Sequence, residues 1–191
     1  MKRLRRQFAQ RVTQELGARV RRWKFIDESG VHLGLTRLYG RAAPGERVGE
    51  ATPGHAGMHY TVVAALGWHG VSAPWVVEGA MDGWAFETYL KRVLAPTLRA
   101  GDIVLMDNLS VHKGESVRRM IEARLARLEF LPPYSPDRNP IEQCWSKVKT
   151  VLRATKARTL AALLTALAAA LRTVTRDDVQ AWFAHCGYGF S

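Results

Sequence analysis

The segment DIVLMDN, residues 102 to 108, constrains the fold more than any other stretch. Ile103, Val104, Leu105 and Met106 are apolar in succession, without the alternation of a strand that has one wet face. A strand of this kind lies inside a sheet and is covered on both sides. Asp107 follows at once, so the strand carries a carboxylate from a dry interior to the edge of the sheet. An acid in that position has to be paired, hydrogen-bonded, metal-bound or protonated.

The remaining pattern says which sheet this is. WKFID (23–27) reads as a short strand ending in acids, and TRLYGRAAPGERV (36–48) as a strand followed by a Pro-Gly turn. HYTVVAALGWHG (59–70) and APWVVEG (73–79) are β-rich runs joined as a hairpin. The period then changes. Asp82 is placed to cap a helix in which Phe86, Tyr89, Leu90, Val93 and Leu94 share a face. After DIVLMDN, Val117, Met120, Ile121 and Leu125 mark a second amphipathic helix, and LEFLP (128–132) a further strand. Asn139 as N-cap and Pro140 at the first position open a helix, and Thr159 starts another that is rich in Ala and Leu. An antiparallel meander, followed by strands reached through helices and parallel to the first, predicts an α/β fold: a mixed five-stranded sheet with helices on both faces. Sites on such sheets gather beyond the carboxyl ends of central strands. The expected divisions are a basic arm over 1–22, a core over 23–155 and C-terminal helices over 156–191.

Charge points to the partner. The 191 residues carry a formal net charge of +11, which favours a polyanion such as nucleic acid. From Met1 to Lys24 there are nine Lys or Arg and one acid, Glu15, a segment able to neutralise phosphates. The basic N-terminus lacks the apolar stretch and cleavage site of a signal peptide, and the run from Leu160 to Leu171 is too short to span a bilayer. The expectation is a cytoplasmic protein with no membrane association. Cys144 and Cys186 have no CxxC spacing and read as reduced structural thiols. His55 and His59 have ligand-like spacing but no further ligands nearby, and neither a phosphate loop nor a serine elbow is present.

Three acids stand out: Asp27 and Asp107 at strand ends, and Glu142 in the first turn of the helix after Asn139. Glu28 beside Asp27 points to the opposite face, because successive strand residues alternate. Glu142 also fits a capping role, since N-x-x-E resembles a capping box. Hard oxygen ligands on two strands and a helix suit two Mg²⁺ ions, with Mn²⁺ as a substitute. Such a pair activates a nucleophile at one ion and stabilises the leaving oxygen at the other.

The blocks FIDESG (25–30), YGRAAPGERV (39–48), IVLMDNLSVHK (103–113) and LPPYSPDRNPIEQCWSKVK (131–149) resemble the DDE transposases of the mariner superfamily, in its bacterial insertion-sequence branch. Thirty-four residues separate Asp107 from Glu142, the spacing of that superfamily. The resemblance runs from about Trp23 to the C-terminus. It implies an RNase H-like fold, a metal-binding triad of Asp27, Asp107 and Glu142, and cleavage and strand transfer of double-stranded DNA at element ends by a homodimer. It implies supporting or DNA-contacting roles for Asn108, His112, Arg41, Lys147 and Lys149, while Trp145 reads as a core residue. Arg138 departs from the family, which has an apolar residue there. Full-length relatives also place helix-turn-helix modules ahead of the core, where only 22 residues stand here, so the expectation is binding by charge with poor recognition of ends. The competing readings are an RNase H or junction resolvase on the same fold, and a non-catalytic DNA-binding remnant.

Overall fold

The computed structural model describes residues 2–12, 17–55, 57–108 and 114–188. Helix α1 (Lys2–Arg11) and a 3₁₀ turn (Gly17–Arg22) lead into strand β1 (Trp23–His32). Strands β2 (His59–Gly67) and β3 (Gly70–Glu78) form the expected hairpin, antiparallel to β1. Helix α2 (Gly83–Tyr89), extended by irregular turns to Thr97, precedes β4 (Ile103–Met106), and α3 (Glu115–Glu122) precedes β5 (Arg127–Phe130). Both late strands are parallel to β1, giving the order β3-β2-β1-β4-β5. Helices α4 (Ile141–Thr155), α5 (Leu160–Arg172) and α6 (Arg176–His185) complete the described chain.

The unbroken apolar run of β4 has a direct explanation. Ile103 and Leu105 enter one core and Val104 and Met106 the other, all four at 2% exposure or less. The first core joins Trp23 and Phe25 of β1 to α1, α4, α5 and α6; the second joins Ile26 to α2 and α3. An aromatic cluster fastens the last helix to the sheet. Phe183 meets Phe25 at 5.4 Å and Trp68 at 5.6 Å, and Tyr188 meets Trp23 at 5.0 Å, all three edge-on. Caps start the helices where the sequence indicates: Asp82 accepts from the Ala85 amide (2.8 Å), and Thr159 from the Ala162 amide (3.2 Å).

Several expectations need correction. No strand forms over residues 36–48, which run as an exposed connection held by other means. Arg158 donates to the carbonyls of Leu33 and Leu35, and Lys156 pairs with Glu50. Leu125 lies beyond α3 in a left-handed turn (φ 55°) and is 75% exposed, so the apolar face of that helix ends at Ile121. Asp27 is not at a strand end, because β1 continues to His32 by pairing with β2. It sits where the shorter neighbour β4 stops. The basic N-terminal segment is docked: Phe8 and Val12 are buried in the core to which α4 also contributes.

Candidate active site

The register of the parallel strands builds the site. Phe25 pairs with Leu105 and Ile26 with Met106, so one further step brings Asp27 level with Asp107. By alternation both fall on the α4 side of the sheet, together with Phe25 and Leu105. Glu28 takes the other side. Its charge bears on Tyr89, a phenol of the α2 core that burial first, and Glu28 second, push well above its ordinary range. The third acid, Glu142, arrives on the first turn of α4.

Asp27, Asp107 and Glu142 line one cleft of about 450 Å³, with Asn108, the segment Leu131–Pro136, and Asn139. Asp27 is 9% exposed, Asp107 half-buried and Glu142 exposed. The carboxyl of Asp27 is pushed up to about 8. Burial is the largest cause; the charges of Glu142, Glu28 and Asp107 add to it, and a hydrogen bond from the Glu28 amide opposes it. Acids on two strands and a helix are thus near enough to feel one another across the cleft.

Glu142 does not act as a cap. The Asn139 amide, which a capping box would direct to Glu142, donates instead to the Pro136 carbonyl (2.9 Å), and α4 begins without a side-chain cap. Asn139 Oδ1 is buried with no hydrogen-bond partner. A buried acceptor without a partner and three carboxyl groups, of which Asp27 feels the charges of the other two, form a donor set of hard oxygens, which fits a divalent cation. Among the described residues no three acid, histidine or cysteine side chains close on a single ion-sized point.

The wall of the cleft is fixed from two distant parts of the chain. Arg5 of α1 makes a forked bond to Asp137 (3.1 and 2.5 Å) and also donates to Ser135 Oγ (3.2 Å). This holds the Asp137 carboxyl below its usual range. On the other side Arg138 donates to the Cys186 carbonyl (3.0 Å), and the Tyr188 hydroxyl donates to the Arg138 carbonyl (2.7 Å). Arg138, the departure from the family pattern, is therefore a strut between this loop and the segment after α6; it stands 3.8 Å from Asp137, a weaker pairing than that of Arg5.

The other candidates are dispersed. Asn108 lines the cleft. His112 lies outside the described residues. Arg41 is exposed on the connection between β1 and β2, away from the cleft lining. Lys147 is occupied by Asp178 (2.5 Å), whose carboxylate also closes a capping box with Thr175 at the start of α6. Lys149 is half-buried, seven residues and about two turns along the stripe of α4 that starts at Glu142. Trp145 is core, 3% exposed. Both cysteines are free and buried. No helix among the described residues is long and apolar enough to cross a membrane. Sequence reasoning missed Arg5, whose partner is 132 residues away, and the exposed Tyr134 at the mouth of the cleft. Tyr134 had one visible signal, its place directly after Pro133.

Residues 22–164 match the family described as DDE superfamily endonuclease. The chain belongs to that family. It is similar to the Tcb1 transposable-element transposase of Caenorhabditis briggsae, 28% identical over 108 residues that cover 54% of this chain and 40% of that protein. Among solved structures it is similar to the Mos1 transposase in a paired-end complex with the left transposon end. There the identity is 16% and the TM-score 0.74, over 96% of this chain and 56% of that one. The crystallised catalytic domain of Mos1 mariner transposase aligns with 14% identity and a TM-score of 0.66, over 97% of this chain and 84% of that one. These likenesses identify the sheet and its helices as RNase H-like. The DDE chain spans about half the length of the longer relatives it matches.

Proposed function

We propose that this DDE domain is the catalytic part of a transposase of the bacterial insertion-sequence branch of the mariner superfamily. Its reaction would cut double-stranded DNA at the ends of a mobile element, leave a 3′-hydroxyl, and join that hydroxyl to target DNA by transesterification. The observation that carries the reading is the convergence of Asp27, Asp107 and Glu142 on one cleft from β1, β4 and α4.

In this reading the three carboxylates are the catalytic ligands for two Mg²⁺ or Mn²⁺ ions. Bound there, the ions would supply the Lewis-acid charge that activates a hydroxyl nucleophile and stabilises the leaving oxygen. Asp27, buried between the other acids, has to release its proton on binding, so affinity should rise with pH. Glu142, exposed on the first turn of α4, is the ligand with the most freedom to close on the site. Asn108 lies at the cleft as a neutral hydrogen-bonding group for substrate. Lys149, on the stripe that leads away from Glu142, would take a phosphate, whereas Lys147 joins α4 to α6 through Asp178. Mos1 has been crystallised as a paired-end complex with Mn and with Mg, which supports metal-dependent action on paired DNA ends by two copies of the chain.

The test is strand cleavage with Mn²⁺ on a duplex bearing the element's end. Asp107→Asn should abolish cleavage while DNA binding stays within about twofold, because neutral Asn keeps the shape but cannot neutralise a cation. Cleavage that survives in this variant would remove Asp107 from the site.

A further inference from the structure

Tyr134 has no structural reason to be tyrosine. Its backbone is left-handed, with φ of 52°, in the turn that follows Pro133, where glycine or asparagine is the ordinary choice. Its side chain is 84% exposed, so no core packing offsets the strain. The two usual causes of a retained aromatic, backbone preference and burial, are both missing.

The loop nonetheless presents this ring in a fixed place. Arg5 grips Asp137 and Ser135 on one flank, Arg138 and Tyr188 anchor the other, and prolines stand at 132, 133 and 136. Strain persists only where the surroundings over-determine a conformation, and it concentrates at sites that bind. The ring lines the same cleft as Asp27, Asp107 and Glu142.

From this geometry we infer that Tyr134 is a stacking platform for an unpaired nucleobase next to the phosphodiester held in the cleft. The inference rests on the proposed action on DNA. An exposed ring on a rigid loop loses little entropy on binding, and every base has a π face to offer it. A paired base inside a duplex is already stacked on its neighbours. The ring therefore selects a nucleotide that has left the stack, as at a frayed end or a single-stranded overhang.

The experiment uses the full chain, with a chelator present so that no strand is cut. Two probes are compared: a blunt duplex, and the same duplex with a short 3′ overhang carrying 2-aminopurine at the first unpaired position. Wild type should bind the overhang more tightly and quench its fluorescence. Tyr134→Ala should weaken overhang binding on the order of tenfold, lose the quench and leave blunt-duplex affinity unchanged; Tyr134→Phe should behave as wild type. Tyr134→Gly relieves the left-handed strain, so it should lose the overhang preference while its melting temperature rises. That combination excludes misfolding as the cause. Equal binding and quenching by wild type and Tyr134→Ala would overturn the stacking role while leaving the transposase reading intact. A wild-type chain that binds neither probe would overturn both.

Discussion

Replacing Asp27 with Asn removes the cost of burying a carboxylate beside two other acids in one cleft. The Asp27 carboxyl titrates near 8 in the folded chain, raised first by burial and then by Glu142, Glu28 and Asp107, against an ordinary value of 3.8. Between those two values, with no divalent cation in solution, the folded chain holds a proton that the unfolded chain has released. The unfolded state then binds fewer protons, so stability falls as pH rises. The contribution is fully present below about pH 4 and is lost as pH passes through the folded value. The slope is about 1.4 kcal/mol per pH unit. Going from about pH 5.5 to about pH 8 should therefore cost wild type roughly 3 kcal/mol relative to Asp27→Asn, which has no proton to lose. The assay is urea unfolding of both proteins at the two pH values with a chelator present. Addition of Mn²⁺ at the higher pH should restore wild type and leave the variant unmoved. Parallel pH profiles for the two proteins would refute the reasoning, because they would mean that Asp27 is solvated and that the acids do not repel one another.

Glu142→Gln should change unfolding free energy by no more than about 0.5 kcal/mol, as for an ordinary surface substitution, yet remove cleavage. A loss nearer ~1 kcal/mol in denaturant melts would restore a capping role. Joint replacement of the exposed Arg3 and Arg6 by Ala should lower the slope of log binding constant against log salt by up to about 2, at about 0.9 for each phosphate that is no longer neutralised. An unchanged slope would place the phosphate-binding surface elsewhere. Arg5 should not be used for this test, because it is committed to Asp137.

Much of the architecture was legible in the residues because it depends on local period. The run Ile103–Met106 announces a strand between two layers, and the structure sends its residues alternately into two cores. Asp82 and Thr159 announce helix starts through chemistry that acts within three residues. Pairing partners set by tertiary context were harder to read. β1 extends past Asp27 only because β2 is long enough to pair with it as far as His59. The capping box at Asn139 fits the local pattern, but the preceding 3₁₀ turn claims its amide. Residues 36–48 have a strand-like composition but pair with no strand of the described sheet. At the site, alternation separated Asp27 from Glu28, and the long block from Leu131 to Lys149 marked Glu142. The bonds that fix the cleft wall span 48 to 132 residues, and no local rule reports such distances.

Those long-range bonds also bear on biosynthesis. A ribosome releases Asp27, Asp107 and Glu142 well before Tyr188, the second anchor of the cleft wall, which follows its partner Arg138 by 50 residues. At about 5–20 residues per second, that interval lasts roughly 3–10 seconds. Nascent chains stalled before and after residue 188 should differ in protease cutting near Tyr134, with protection appearing only in the longer ones. The second anchor of the cleft wall thus arrives only after the residues that line the cleft, so the order of translation is also an order of assembly.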